Sequence, residues 1–425
     1  MKKLLVVQAA ALSYDAARAL DVAIEFRPGQ SVFPAVTCPV QASFRTAALP
    51  DRHGMVANGL YDRAYRKARF WEQSASLVAG PRIWREFRRS GGTVALLFWQ
   101  QSMGEEADII LTPAPIHKHH GGMIEDCYAR PEGLYARLCR RIGRPFRLRH
   151  YWGPTASYKA GGWIAAATAE VLADPDLAPD LCLTYLPTLD YDFQRFGPAH
   201  PRSRRALEQL ERQLALLLAA AEQRRYETVV FGDYAIVECA GVVFPNRILR
   251  DAGLMKTRSL NGRRYADFHA SRAFAVTDHE VAHVHLAAPD DVPAARDILA
   301  GADGVDAVLD RAAQAEQGIA HENSGELVAV ARSGRWFAYP WWTESRHAPD
   351  YASHVDIHSK PGFDPCELFF SLFPPGVCQD TGRVRGTHGR IGADRAIAMA
   401  STIALRPEPD NLVGLAARVQ DWMAT

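Results

Sequence analysis

The sequence predicts an α/β protein built on a mostly parallel central sheet. Residues 4–7, 93–98, 181–186 and 228–231 are short, nearly continuous apolar runs, each followed by polar or turn residues, which is how strands buried on both faces read. Between the last two lies 202–225, where Leu207, Leu210, Leu214, Leu217 and Leu218 line one side and Arg, Glu and Gln the other. That spacing predicts an amphipathic helix. Strands alternating with helices imply a sheet covered on both faces, with its chemistry beyond the carboxyl ends of the strands.

Composition narrows the function classes. The 425 residues are 48% hydrophobic and 23% charged, with a net charge of +1. Such a balance fits a folded soluble protein and excludes a general electrostatic clamp on nucleic acid or an acidic membrane. No apolar run reaches the ~18 residues of a membrane span. The apolar stretch after Lys2-Lys3 is broken by Gln8 and runs into Tyr14-Asp15, so a buried first strand is expected rather than a signal peptide. Seven cysteines contain no C-x-x-C pair, which excludes a zinc ribbon or thioredoxin-type pair. Free thiols in a reducing, cytoplasmic compartment are expected.

Along the chain, 1–261 and 346–425 are assigned to the core and 262–345 to a small α+β insertion. Within the insertion, strands are expected at 283–287, 305–309, 327–331 and 336–339, and a helix at 292–300. Gly/Pro/His-rich loops follow from 350, and a helix over 411–423 closes the chain. His279-Glu280-Val281-Ala282-His283 matches the H-E-x-x-H zinc motif, which needs a helix to bring both imidazoles to one face. Val281, Val284 and Leu286 continue instead with strand spacing, and residues four apart on a strand lie about 13 Å apart. A strand entry is expected here, not a zinc peptidase.

Five stretches after the strands carry the functional expectation. They are 33–43 with Thr37, 50–59 with Asn58, 185–198 with Asp190, 231–235 with Asp233, and 386–389 with His388. A hydroxyl opening a helix sits beside free N–H groups that suit an oxyanion, although in isolation Thr37 also reads as a plain helix cap. Single Asp or His residues after strands usually form turns. The ordered set is far more specific than any member.

This order resembles the alkaline phosphatase superfamily, in particular its type I phosphodiesterase/nucleotide pyrophosphatase branch, over most of the chain. The resemblance implies a three-layer sandwich. It also implies a Thr nucleophile at Thr37, an Asn 21 residues later at Asn58 holding a phosphate oxygen, and two zinc ions on six Asp and His ligands. Carried over singly, Asp190, Asp233 and His388 are present, whereas Ala10, Gln194 and Tyr234 stand where Asp, His and His are expected. Alanine, carboxamide and phenol are poor zinc ligands. The resemblance therefore implies a degenerate two-metal site holding at most one divalent ion, zinc or manganese, or none.

Residues 189–198, 232–234, 275–279, 355–365 and 386–391 further resemble the phosphodiesterase-like proteins of the bacterial Ebo gene cluster. That resemblance implies other enzymes of a biosynthetic cluster as partners. Asp356 and His358 are candidates to join Asp190 and His388 around one metal, with Asp192, Asp278 and His279 as further candidates. The alternative is an Asp-His pair fixing the Lys360-Pro361-Gly362 turn. Lys159, Arg195 and Arg390 are candidates to neutralise a phosphate, or else surface ion pairs. Trp99 and Trp342 are candidates to face a ligand. Together these features lead us to expect a hydrolase or transferase acting on a phosphorylated or activated small metabolite. In it Thr37 is nucleophile or oxyanion ligand, Asn58 orients an oxygen, and Asp190, Asp233 and His388 hold a metal or serve as acid and base. The alternative is a non-catalytic protein that binds a metabolite or partner.

Overall fold

The computed structural model describes residues 2–372 and 375–425. Twelve strands carry the architecture: β1 (Leu4–Ala9), β2 (Arg27–Gly29), β3 (Val94–Leu97), β4 (Ile109–Pro113), β5 (Cys127–Arg130), β6 (Leu181–Leu186), β7 (Glu227–Gly232), β8 (Ala273–Asp278), β9 (Val281–Leu286), β10 (Val305–Leu309), β11 (Leu327–Ala331) and β12 (Ile397–Ser401). The helices that matter to the site and its support are α1 (Thr37–Thr46), α2 (Lys159–Ala173), α3 (Asp190–Phe196), α4 (Pro201–Arg224) and α5 (Leu412–Ala424).

Eight strands form one sheet in the order β2-β12-β7-β1-β6-β3-β4-β5. Neighbours from β7 through β4 are parallel, and β12 and β5 run antiparallel at the two sides. Alternation along β1 explains the layers, because successive side chains point to opposite faces. Leu5, Val7 and Ala9 pack into one core with Ile164 and Val171 of α2 and Leu210 and Leu214 of α4. Leu4 and Val6 pack into another with Val40 and Phe44 of α1 and Leu415 and Val419 of α5. The result is a helix–sheet–helix sandwich with a mostly parallel centre.

A second, antiparallel sheet has the order β8-β9-β11-β10. It packs against Cys38 and Ala42 of α1 and so backs onto the main body. His279 and Glu280 form the two-residue turn between β8 and β9. The H-E-x-x-H stretch is therefore turn and strand, and His283 turns its Nε2 to the Val56 carbonyl at 3.1 Å. Two expectations need correction. β8 was not anticipated as a strand. Arg335–Phe337 is a strand that pairs in parallel with Gly241–Val243 rather than with the insertion sheet. A further hairpin, Thr257–Leu260 with Arg263–Ala266, straddles residue 262. All seven cysteines are free, and no described helix is long and apolar enough to cross a membrane.

Candidate active site

Because β1, β3, β6 and β7 are parallel, their carboxyl ends meet at one edge. Gln100 follows β3, Pro187 and Asp190 follow β6, and Asp233 and Tyr234 follow β7. The N-terminus of α1 brings Thr37 to the same edge. A cleft opens there, lined by Thr37, Asn58, Asp190, Gln194, Tyr234 and His279 and walled by Trp71, Trp152, Tyr151 and Tyr185. Gly232 makes the geometry possible. A Cβ there would fall 1.9 Å from the Leu12 carbonyl oxygen, so only glycine lets the end of β7 lie against the loop after β1.

Thr37 is the first residue of α1 and is almost fully buried. Its hydroxyl lies close enough to the Tyr185 and Tyr234 phenols to favour their ionisation against the opposing effect of burial. The helix start is a sparing oxyanion site. The Cys38 N–H is taken by Asn58 Oδ1 at 2.9 Å, and Pro39 has none. Asn58 is itself fixed, since its backbone N–H and Nδ2 both donate to Asp278, at 2.7 and 3.2 Å. Asp278, weighed above only as a metal ligand, is thus the residue that positions Asn58. Burial pushes its carboxyl up to about 7.

Asp190 shows what the altered ligand positions now do. Gln194 Nε2 donates to its Oδ2 at 2.8 Å, and the Tyr234 hydroxyl donates to its Oδ1 at 2.9 Å. Two side chains standing where metal-binding histidines are expected therefore clamp the carboxylate instead. Burial pushes the Asp190 carboxyl up to about 6, with both hydrogen bonds working against the rise. The Tyr234 ring also stacks on His388, centroids 3.5 Å apart and planes within 5°. On the other side His279 packs on the same imidazole at 3.7 Å and on Phe363 at 4.2 Å. His279 holds φ +57°, a costly conformation for a residue with a side chain. Its carbonyl accepts the Phe337 N–H at 2.7 Å. His388 Nδ1 donates to the Ala35 carbonyl at 2.8 Å, and burial drives its basicity down to about 3. The ring is neutral, and its buried Nε2 has no partner.

Asp233 lies behind the cleft wall and is completely buried. Gln8 Nε2, the Ala11 N–H and its neighbour's Tyr234 N–H all donate to it, each at 2.9 Å. Burial pushes its carboxyl up to about 8.

The remaining expected site residues have other duties. Asp356 Oδ1 accepts the Ser359 N–H at 3.0 Å, and His358 is exposed with Nδ1 against the Phe70 carbonyl at 2.8 Å. Asp356 borders the cleft but closes a turn, and His358 faces the adjoining groove. The structure does not bring this pair together with Asp190 and His388 as a ligand cluster. Arg195 and Arg390 are ion-paired, to Asp192 at 3.1 Å and Asp306 at 2.7 Å, and Lys159 does not line the cleft. None of the three lines the cleft. Trp99 is fully buried against Phe44 and Phe231, and Trp342 is also buried and lines a different cavity. Trp71 and Trp152 are the indoles of the cleft. The unforeseen charge is Lys360, 1% exposed, between Asp364 at 2.9 Å and Glu367 at 2.7 Å. Its i, i+4 and i+7 spacing was the signal available in the sequence.

The residues present do not fit a two-zinc centre. Ala10 supplies no ligand, and Asp233 is enclosed by three donors. Both oxygens of Asp190 already accept hydrogen bonds. Among the described residues no three His, Cys, Asp or Glu side chains are grouped to hold a metal ion, whereas zinc takes three or four such ligands.

Sheet order and the helix-opening hydroxyl at the strand ends define an alkaline-phosphatase-like α/β protein. The chain belongs to the type I phosphodiesterase/nucleotide pyrophosphatase family, whose family model matches residues 24–364, and this places it among phosphoester-hydrolase-like proteins. Solved structures share the fold over the full length. Human ectonucleotide pyrophosphatase/phosphodiesterase 5 is similar with a TM-score of 0.61 at 14% identity, covering 100% of this chain and 95% of that one. The murine protein, inactive and in complex with AMP, gives 0.59 at 14%, covering 100% and 95%. Phosphonoacetate hydrolase from Sinorhizobium meliloti, in complex with phosphonoacetate, gives 0.63 at 16%, covering 100% and 96%. No curated protein matches the sequence.

Proposed function

We propose that the protein is a hydrolase or transferase acting at Thr37 on a phosphorylated or otherwise activated small metabolite, without the two-metal centre of its family. The observation that carries this reading is the grouping of the Thr37 hydroxyl, the Tyr234 phenol and the Asp190 carboxylate in one cleft. A threonine hydroxyl needs an adjacent base to become a nucleophile. Asp190, ionised above about pH 6, receives the Thr37 proton through the Tyr234 hydroxyl as Thr37 Oγ bonds to the activated centre. The bond to the leaving group breaks, and the departing atom takes a proton from water while Asp190 keeps the one it received. Water or an acceptor alcohol then displaces Thr37, giving up its own proton to solvent as Thr37 Oγ recovers the proton held on Asp190 through the Tyr234 hydroxyl. Asn58 holds the Cys38 N–H with its Oδ1 and Asp278 with one Nδ2 hydrogen, which leaves its second Nδ2 hydrogen to orient one substrate oxygen. Asp233 and His388 support this pair from behind, His388 through the stacked Tyr234 ring. The free thiols support action in the cytoplasm, beside other enzymes of a biosynthetic cluster of the Ebo type.

The test is turnover of p-nitrophenyl phosphodiesters and monoesters with zinc, with manganese, and with a chelator and no metal. Turnover that survives chelation and falls at least a thousandfold in Thr37→Ala is the expected result, on the order of what removing a nucleophile costs. Turnover that depends on added metal, or is indifferent to Thr37→Ala, contradicts it. One observation favours a second reading, a binding protein without turnover: with Cys38 N–H occupied and Pro39 lacking one, the helix start has little to offer a transition-state oxyanion. Saturable ligand binding with no turnover of any ester would establish that reading.

A further inference from the structure

Three features of the cleft bear on what occupies it. The first is its walls. Trp71 and Trp152 lie 4.9 Å apart between centroids, tilted 58°, and offer indole surface beside the Tyr185 and Tyr234 phenols. The second is its charge. Asp190, Asp356, Asp364 and Glu367 border the cleft, and among the described residues Lys360 is the one lysine or arginine on its lining. Lys360 is already paired with Asp364 and Glu367. A phosphate here would meet carboxylates without a free cation to offset them.

The third feature is a buried acceptor without a donor. Gln194 lines the cleft and is 1% exposed. Its Nε2 is committed to Asp190, which fixes the amide orientation, and its Oε1 has no partner. Buried acceptors left unpaired are costly, and a ligand that supplies donors relieves the cost.

Resting on the reading that this cleft is the substrate site, we propose that it recognises a non-anionic, hydrogen-bond-donating head group. That group stacks on the Trp71 and Trp152 faces and donates to Asp190 and Gln194 Oε1. The shared chemistry is the donor, and its source is either the hydroxyls of a polyhydroxylated ring or the N–H groups of a protonated amine. Aromatic faces suit both, and the acidic border adds attraction for the amine.

The experiment is calorimetric titration, with indole fluorescence as a second readout, on the full-length Thr37→Ala protein. The probes are myo-inositol, cyclohexylammonium, tetramethylammonium, inorganic phosphate, AMP and Mn²⁺. Myo-inositol or cyclohexylammonium should saturate at least tenfold more tightly than tetramethylammonium, which has charge but no donor, and than phosphate. Whichever of the two binds identifies the source of the donor. Gln194→Met should weaken that binding tenfold. If that variant does not fold, Asp190→Asn is read in its place. Tighter binding of phosphate, AMP or Mn²⁺ than of both donor probes, or affinity unchanged in the variants, overturns the proposal. Binding is read without the nucleophile, so a protein incapable of turnover can still satisfy this test, and an active one can still fail it.

Discussion

Replacing Asp233 by asparagine gives a stability change whose pH dependence is set by the structure. The carboxyl titrates at about 8 in the folded protein because burial disfavours its charged form, and near about 3.9 in an unfolded chain. Between those values the folded state keeps a proton that the unfolded state has released, so stability falls as pH rises through the window. From pH 5 to pH 8 this one group removes about 3–4 kcal/mol, at 1.36 kcal/mol per pH unit. Asparagine keeps the shape and cannot ionise. Its NH₂ would face donors, but Gln8 Oε1 is without a partner, and a flip of the Gln8 carboxamide turns that acceptor toward it. Asp233→Asn should therefore be within about 1 kcal/mol of wild type at pH 5 and about 3 kcal/mol more stable at pH 8. Urea unfolding at the two pH values measures the difference. A difference independent of pH, or a wild type whose advantage grows with pH, would refute the reasoning. The latter is what an ionised carboxylate bound to a cation would give.

Tyr234→Phe keeps the stack on His388 and removes one donor from the Asp190 carboxylate. The variant also lacks the hydroxyl that relays the Thr37 proton, so turnover should fall by about a hundredfold or more, and because that hydrogen bond lowers the Asp190 value from what burial alone imposes, the acid limb of the residual rate should move upward by about one unit. An unmoved limb would exclude Asp190 as the base. Lys360→Met leaves Asp364 and Glu367 buried without their cation and should destabilise the protein by about 3–5 kcal/mol in urea unfolding. A loss under about 1 kcal/mol would show that the two acids find other partners.

The fold was legible where one physical signal dominates. The runs at 4–7, 181–186 and 228–231 are apolar on both faces, and the structure makes them the central parallel strands. The insertion's 292–300 helix and its 305–309 and 327–331 strands were read with the observed bounds. Residues 335–337 were harder, because an aromatic run announces a strand but not its partner, and Gly241–Val243 lies far away in sequence. At the site, the ordered motifs singled out Thr37, Asn58 and Asp190, and the structure brings these three to one cleft. What Tyr234 and Gln194 do could not, since a lost histidine says nothing of where its replacement points. The Tyr234–Asp190 contact joins residues 44 apart and follows from the two strands that flank β1 ending at one edge. Asp356 and His358 looked like ligands because two residues of suitable type stand two apart, yet local turn hydrogen bonding claims Asp356.

The central claim is that this cleft works without the paired metals of its family, since Asp190 is clamped by Gln194 and Tyr234 and Asp233 is enclosed by donors. Elemental analysis of the purified protein after equilibration with zinc and manganese and removal of free ions tests it most directly. Less than one tightly held divalent ion per chain, unchanged by His388→Ala, is the predicted result. Two ions per chain, lost on that substitution, would contradict it.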